Sequence, residues 1–179
     1  MAEGAIKLNL GAGHRHLKGF INCDLDGNWS KVQPDVVCDV TKPLPFEHNY
    51  ADEVHAYHLF EHIQRWEAPE VLRDWIRVLK PGGLLVLELP CFDKIVRHLA
   101  VSVIDGAPFD PRLTMWGLYG DPRYKNEAMV HKWCYSVAEL AGMLQNAGLV
   151  EIEPEEPQTH QPARDMRMTA RKPHGSDVQ

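Results

Sequence analysis

Leu8-Asn9-Leu10-Gly11-Ala12-Gly13 leads, after a polar break, into Phe20-Ile21-Asn22-Cys23-Asp24. The first apolar run ends in two glycines, and the second ends in a carboxylate. Glycine lets a ligand approach the backbone with no Cβ in the way. A carboxylate at the tip of the next strand can accept hydrogen bonds from both hydroxyls of a ribose. The pair therefore predicts a nucleoside pocket beyond the carboxyl ends of two strands.

Working outward, short apolar runs predict strands over 6–10, 20–24, 35–39, 51–57, 83–89, 149–153 and 165–171. Most are continuous rather than alternating, as expected of strands covered on both faces. A helix over 69–79 starts with Pro69 in its first turn and carries Val71, Leu72, Trp75, Ile76 and Leu79 on one face. Pro81-Gly82-Gly83 ends it and turns the chain into the next strand. A second helix begins at Ser136 with Glu139 three residues on, a capping-box pattern, and stops at Gly148. A weaker helical pattern covers 93–103. Helix–strand alternation of this kind indicates an open, mostly parallel α/β sheet.

Residues 104–130, rich in glycine, proline and aromatics, read as a lid or substrate loop inserted after a central strand. A single domain over 1–172 with a disordered tail at 173–179 is expected. The formal net charge of −6 argues against a broad nucleic-acid-binding face. No apolar run approaches the roughly 18 residues that cross a bilayer, so no membrane association is expected and the expected address is the cytoplasm. Cys23, Cys38, Cys91 and Cys134 form no Cys-x-x-Cys pair and read as free thiols.

Gly11, Gly13, Asp24, Asp39 and His58 all fall at or just past predicted strand ends, where open α/β sheets bind ligands. The dinucleotide fingerprint requires a third glycine three residues after Gly13, and His16 stands there. A nicotinamide dinucleotide is therefore disfavoured, and no Gly-Lys-Ser/Thr follows to form a P-loop.

The remaining pattern resembles the class I S-adenosylmethionine-dependent methyltransferases, in particular short single-domain members of the type 11 kind. Residues 8–13 look like their first motif and 19–24 like the second strand with its ribose-binding acid. Cys38-Asp39-Val40 with Leu44-Pro45-Phe46 is similar to the adenine-side segment. The stretch from Ala51 to Glu61-His62 looks like the fourth strand and its exit. Arg77-Val78-Leu79-Lys80-Pro81-Gly82-Gly83 is the most specific piece, and His131-Lys132-Trp133 and 144–149 match the later part. Two departures stand out. Asn9 occupies a position where many members carry an acid, and only ten residues separate Gly13 from Asp24.

The resemblance implies a Rossmann-like open twisted sheet of about seven mostly parallel strands, with the last hairpin antiparallel, helices on both faces and the first helix shortened. It implies S-adenosyl-L-methionine held by Gly11, Ala12, Gly13, Asp24, Leu25, Asp39, Val40 and His58. Asp24 takes the ribose, Asp39 and Val40 border the adenine, and His58 lies near the methionyl end. A turn aspartate before Thr41 is the alternative for Asp39. A hydroxyl acceptor benefits from a general base. His131, between the presumed lid and the last helix, is the first candidate, with His62 and Asp93 as alternatives, and Trp116 and Tyr119 could line the acceptor pocket. The expected reaction is methyl transfer to a small-molecule or saccharide acceptor, on oxygen rather than nitrogen.

Two rivals remain. His58-Leu59-Phe60-Glu61-His62 also matches the His-x-x-Glu-His pattern of inverted zinc peptidases. It directly follows a strand, however, which places His58 at a strand exit rather than inside a helix, and no metal is expected. A non-catalytic S-adenosylmethionine-binding module is the second rival.

Overall fold

The computed structural model describes residues 4–26 and 32–175. The end of the expected tail, 176–179, lies outside the described residues. Seven strands form one sheet in the order β3-β2-β1-β4-β5-β7-β6. They are β1 (Lys7–Leu10), β2 (Ile21–Asp24), β3 (Val36–Val37), β4 (Ala51–Tyr57), β5 (Leu79–Pro90), β6 (Val150–Glu155) and β7 (Asp165–Arg171). All pairings from β3 to β5 are parallel, and β7 runs antiparallel to both β5 and β6. The sheet order reverses at β1, so the tips of β1 and β4 open the crevice where ligands of such sheets bind.

Four α-helices accompany the sheet: α1 (Ala68–Val78), α2 (Phe92–Ile104), α3 (Met115–Tyr119) and α4 (Val137–Asn146). In α1, Val71, Leu72, Trp75 and Val78 are buried together on one face. In α4, the Ser136 hydroxyl accepts the Glu139 N–H, and Leu140, Met143 and Leu144 point inward. Both helices join a single core with Leu8, Leu10, Val54, Leu85, Leu87 and Met168. Within it, the Trp75 indole donates to the Val40 carbonyl at 3.0 Å. The glycine turn after α1 proves to be a bulge inside β5. Leu79 already pairs with Ala51, the register then shifts, and Leu84 pairs with Glu53. Gly82 (φ +76°) makes that bulge, and the His174 ring lies where its Cβ would be.

The expectation of helices on both faces is met on one face only. α1 and α4 share one face, whereas α2 packs on α3 at the sheet's end. The other strand face is polar, because alternate residues present Lys7, Asn9, Asn22, Glu53, His55 and Arg167 there. Lys7 pairs with Glu53 at 2.7 Å, His55 bridges Glu53 and Tyr57, and Arg167 meets the buried Glu88 at 3.3 Å. The β1–β2 connection, residues 11–20, contains turns and no helix. It is held by Asn9, whose amide donates to the Arg15 carbonyl at 3.0 Å and to Asn22 Oδ1 at 2.9 Å. A polar strand face needs no apolar helix over it, so the shortened connection follows from the residues beneath it.

Trp75→Ala removes a fully buried ring and orphans the Val40 carbonyl. It should cost about 3–5 kcal/mol of unfolding free energy in urea titration.

Candidate active site

Gly11 turns the chain out of β1 at φ +64°, and a Cβ there would lie 2.7 Å from Leu59 Cδ1. The conformation favours glycine, and a Cβ would also push the Leu59 side chain aside. Gly13 follows at φ +52°. Its N–H donates to Asp24 Oδ2 at 2.5 Å, while Asp24 Oδ1 accepts the Leu25 N–H at 2.7 Å. The two elements singled out in the sequence are thus in direct contact across the tips of β1 and β2. Each carboxylate oxygen retains accepting capacity for a ribose hydroxyl.

Ala12 is buried beneath this bend, and Leu25 is 49% exposed above it. Val40 is buried. Asp39 is exposed and accepts from the Thr41 N–H at 2.9 Å and the Thr41 hydroxyl at 2.7 Å, which is the turn arrangement foreseen as the alternative.

A cavity of about 120 Å³ lies behind Gly11 and Ala12, with Asn9, Tyr57, His58 and Met129 in its wall. It is too small for a whole nucleoside cofactor, so the remainder would lie over the open tips near Asp24 and Asp39. A second cavity of about 290 Å³ adjoins it and adds Arg112, Trp116, Arg123, His131 and Arg164. His58, Tyr124, Met129 and His160 line both cavities and form their common wall. A larger hollow of about 410 Å³ beside α1 shares no residue with either cavity and holds none of the strand-end residues.

The common wall is built around His58. Its Nδ1 lies 3.1 Å from Glu61 Oε1, and its Nε2 lies 3.1 Å from Asp165 Oδ2, an ion-pair contact rather than an aligned hydrogen bond. Carboxylates accept and do not donate, so both nitrogens carry protons and the ring is cationic. Burial alone would depress its pKa, but Asp165 and Glu61 outweigh burial and raise it to about 9. Burial would likewise raise Glu61 and Asp165. The His58 cation reverses this for both, with Arg164 assisting at Asp165, and each falls to about 2. Arg164 Nε reaches Asp165 Oδ1 at 2.6 Å. His160 packs 4.1 Å from the His58 ring, and burial followed by that neighbouring charge lowers its pKa to about 4.

His131, the expected base, lies in the second cavity. Its Nδ1 sits 2.8 Å from the Gly117 carbonyl and must donate, which leaves Nε2 with a lone pair 3.9 Å from Glu61 Oε1. His62 stands edge-on to His131 at 4.8 Å, with its own Nδ1 3.2 Å from the Val130 carbonyl. Asp93 is not among the cavity residues, because its carboxylate accepts the Val137 N–H and caps α4. Trp116 lines the cavity under the Arg123 guanidinium, whereas Tyr119 faces a separate hollow. The helix needed by the inverted zinc-peptidase pattern is not formed: His58 has φ +50° at the exit of β4, and Phe60–His62 is a single 3-10 turn.

Sequence reading missed Glu61 as the centre of the cluster, together with Asp165, Arg164 and His160. The signal available was Arg164-Asp165 at the mouth of an otherwise apolar-alternating strand. A charged pair there is costly unless something inside matches it.

A strand-switch crevice closed by a glycine bend and a strand-tip acid is the arrangement that the sequence predicts for an adenosyl group. The methyltransferase-domain family profile matches residues 14–87. The fold is shared with a methyltransferase of Archaeoglobus fulgidus at 15% identity and TM-score 0.64, covering 94% of this chain and 87% of that one. It is also shared with a Thermotoga maritima methyltransferase at 13% identity and TM-score 0.64, covering 96% and 84%. A Haloferax volcanii protein solved in complex with the Trm112 methyltransferase activator matches at 18% identity and TM-score 0.62, again covering 96% and 84%. A search of curated proteins returned no match. Residues 14–87 thus match the methyltransferase-domain family, and the whole chain shares its fold with solved S-adenosylmethionine-dependent methyltransferases.

Asp24→Ala should weaken S-adenosylmethionine binding about tenfold in calorimetry, the equivalent of ~1.4 kcal/mol. Equal affinity would remove Asp24 from the site. His58 also links stability to pH. A raised histidine pKa contributes fully below its unfolded value near 6.5 and is lost as pH rises through about 9. The gap in urea stability between wild type and His58→Asn should therefore narrow from about pH 6 to about pH 10.

Proposed function

We propose that this methyltransferase acts on an oxygen of a small, polar acceptor, a hydroxyl or carboxyl of a hydroxy acid or saccharide. The observation that carries the reading is the second cavity. At about 290 Å³, it is lined by Arg112, Arg123, Arg164, His62 and His131, with Trp116 and Tyr124 as its large aromatics. Such a lining suits an anionic or polyhydroxylated molecule better than an apolar one. The net charge of −6 disfavours nucleic acid.

S-adenosylmethionine supplies a methyl group already activated by positive sulfur, so the protein's task is binding and orientation. In this reading, Gly11, Ala12 and Gly13 cradle the methionyl and ribose parts, and Asp24 holds the ribose. Leu25, Asp39 and Val40 border the adenine, and His58 separates the two cavities. Residues 104–130 serve as a lid, contributing Trp116, Arg123 and Tyr124 to the acceptor side. His131 is assigned to the acceptor oxygen, because Nε2 is the ring atom left free once Nδ1–H is engaged by Gly117. The proposed unit is one domain over 1–172, and its proposed address is the cytoplasm; no described helix is long and apolar enough to cross a membrane.

Incubation with S-adenosylmethionine and a panel of hydroxy acids and uronic sugars should release S-adenosylhomocysteine. Arg123→Ala should raise KM for the responsive acceptor about tenfold with little change in kcat, because it removes a binding contact. Cofactor binding without turnover across the panel would instead favour a non-catalytic binding module.

A further inference from the structure

We propose that Glu61, His62 and His131 form a three-ligand site for a divalent first-row transition metal, with zinc as its test ion, whose open position receives the acceptor oxygen. One ligand atom from each of these residues lies within 4.8 Å of the others. Glu61 is fully buried, and its Oε2 has no hydrogen-bond partner. A buried carboxylate oxygen left unmatched is costly, and a cation is the group that would satisfy it.

The second observation is how each ligand is held. Metal-binding imidazoles characteristically donate their remote N–H to a carbonyl or carboxylate, which fixes the tautomer and aims the lone pair. His62 Nδ1 sits on the Val130 carbonyl and His131 Nδ1 on the Gly117 carbonyl, so both Nε2 atoms are lone-pair donors. Glu61 Oε1 is oriented in turn by His58. Three ligands arrive with three supports, from the β4 exit, the α3 segment and the chain just before α4.

Two imidazoles and one carboxylate select a borderline cation such as zinc over magnesium or calcium. Zinc bonds of roughly 2.0–2.2 Å place tetrahedral ligands roughly 3.4 Å apart. His131 Nε2 and Glu61 Oε1 are at 3.9 Å and the whole set lies within 4.8 Å, so side-chain adjustments of up to about 1.4 Å complete it. The fourth position opens on the cavity that also holds Arg123 and Arg164, whose charges are balanced by Asp121 and Asp165. An acceptor hydroxyl or carboxylate displaces water there, and His131 then acts as a ligand in place of a base. The acceptor part rests on the proposed function; the metal site itself does not.

The test uses chelator-treated full chain titrated with Zn2+ by calorimetry, beside His62→Ala and His131→Ala. His62 sits on a short, partly exposed turn, so its removal should preserve the fold, which circular dichroism checks. Wild type is expected to take up one Zn2+ per chain, and each variant to bind at least about tenfold more weakly. Substoichiometric uptake by wild type, or equal affinity in both variants, overturns the site. Chain loaded with Co2+ should show ligand-field bands that shift when glycolate is added, and unshifted bands overturn the open position. S-adenosylmethionine binding is measured separately on metal-free chain, so loss of the metal proposal and loss of the methyltransferase reading give different results.

Discussion

A doubly protonated His58 between two buried carboxylates is the contact on which the site depends. It ties the exit of β4 and the turn just after it, which carries Glu61, to the mouth of β7 at Asp165, more than a hundred residues further along the chain. Its backbone adopts φ +50°, a conformation that a histidine holds only when its surroundings over-determine it. The group stands or falls as a unit, because removing one partner leaves an unmatched buried charge at a cost of about 3–5 kcal/mol. Held this way, the β4 exit places Leu59 beneath Gly11. It also presents the Glu61 carbonyl to the N–H groups of Lys132 and Trp133, which anchors the end of the irregular segment 104–130.

The sheet is finished differently on its two sides. One face buries leucine, valine and methionine under α1 and α4. The other carries the Lys7–Glu53–His55–Tyr57 chain and the Glu88–Arg167–Glu155 group. Glu88 also accepts the N–H groups of Gln158 and Thr159 at 3.0 and 2.7 Å, which seats the segment bearing His160 against His58. The polar face therefore organises the loops that border the cavities. Asn9, where an acid was noted as more usual, serves here to tie the short β1–β2 loop to Asn22.

Strand positions were legible because each is a short apolar run bounded by Gly, Pro or Asp. β4 and β7 appear at their predicted bounds, α1 and α2 fall within a residue of theirs, and α4 ends two residues short of Gly148. The one-sided helix layer was not legible. Leu8-Asn9-Leu10 and Val54-His55-Ala56 read as apolar in a window, and only the pleat shows that Asn9 and His55 fall on a shared face. The bulge at Gly82 was read as a turn, since glycine signals a positive φ without saying whether strand pairing resumes on both sides of it.

The sequence by itself determined the strand-tip bend at which a nucleoside is proposed to bind. Gly11, Gly13 and Asp24 are local signals, each forced by a strand end and a backbone conformation, and parallel pairing of neighbouring strands brings them together. Only the tertiary structure decided the buried charge cluster beside the proposed acceptor cavity. His58 with Glu61, His131 and Asp165 come from three separate segments, and nothing in the chain order predicts that Glu61 is buried or that Gly117 and Val130 orient the two imidazoles beside it. Charge pairing in a low-dielectric interior is a property of the assembled fold, not of any window along the chain.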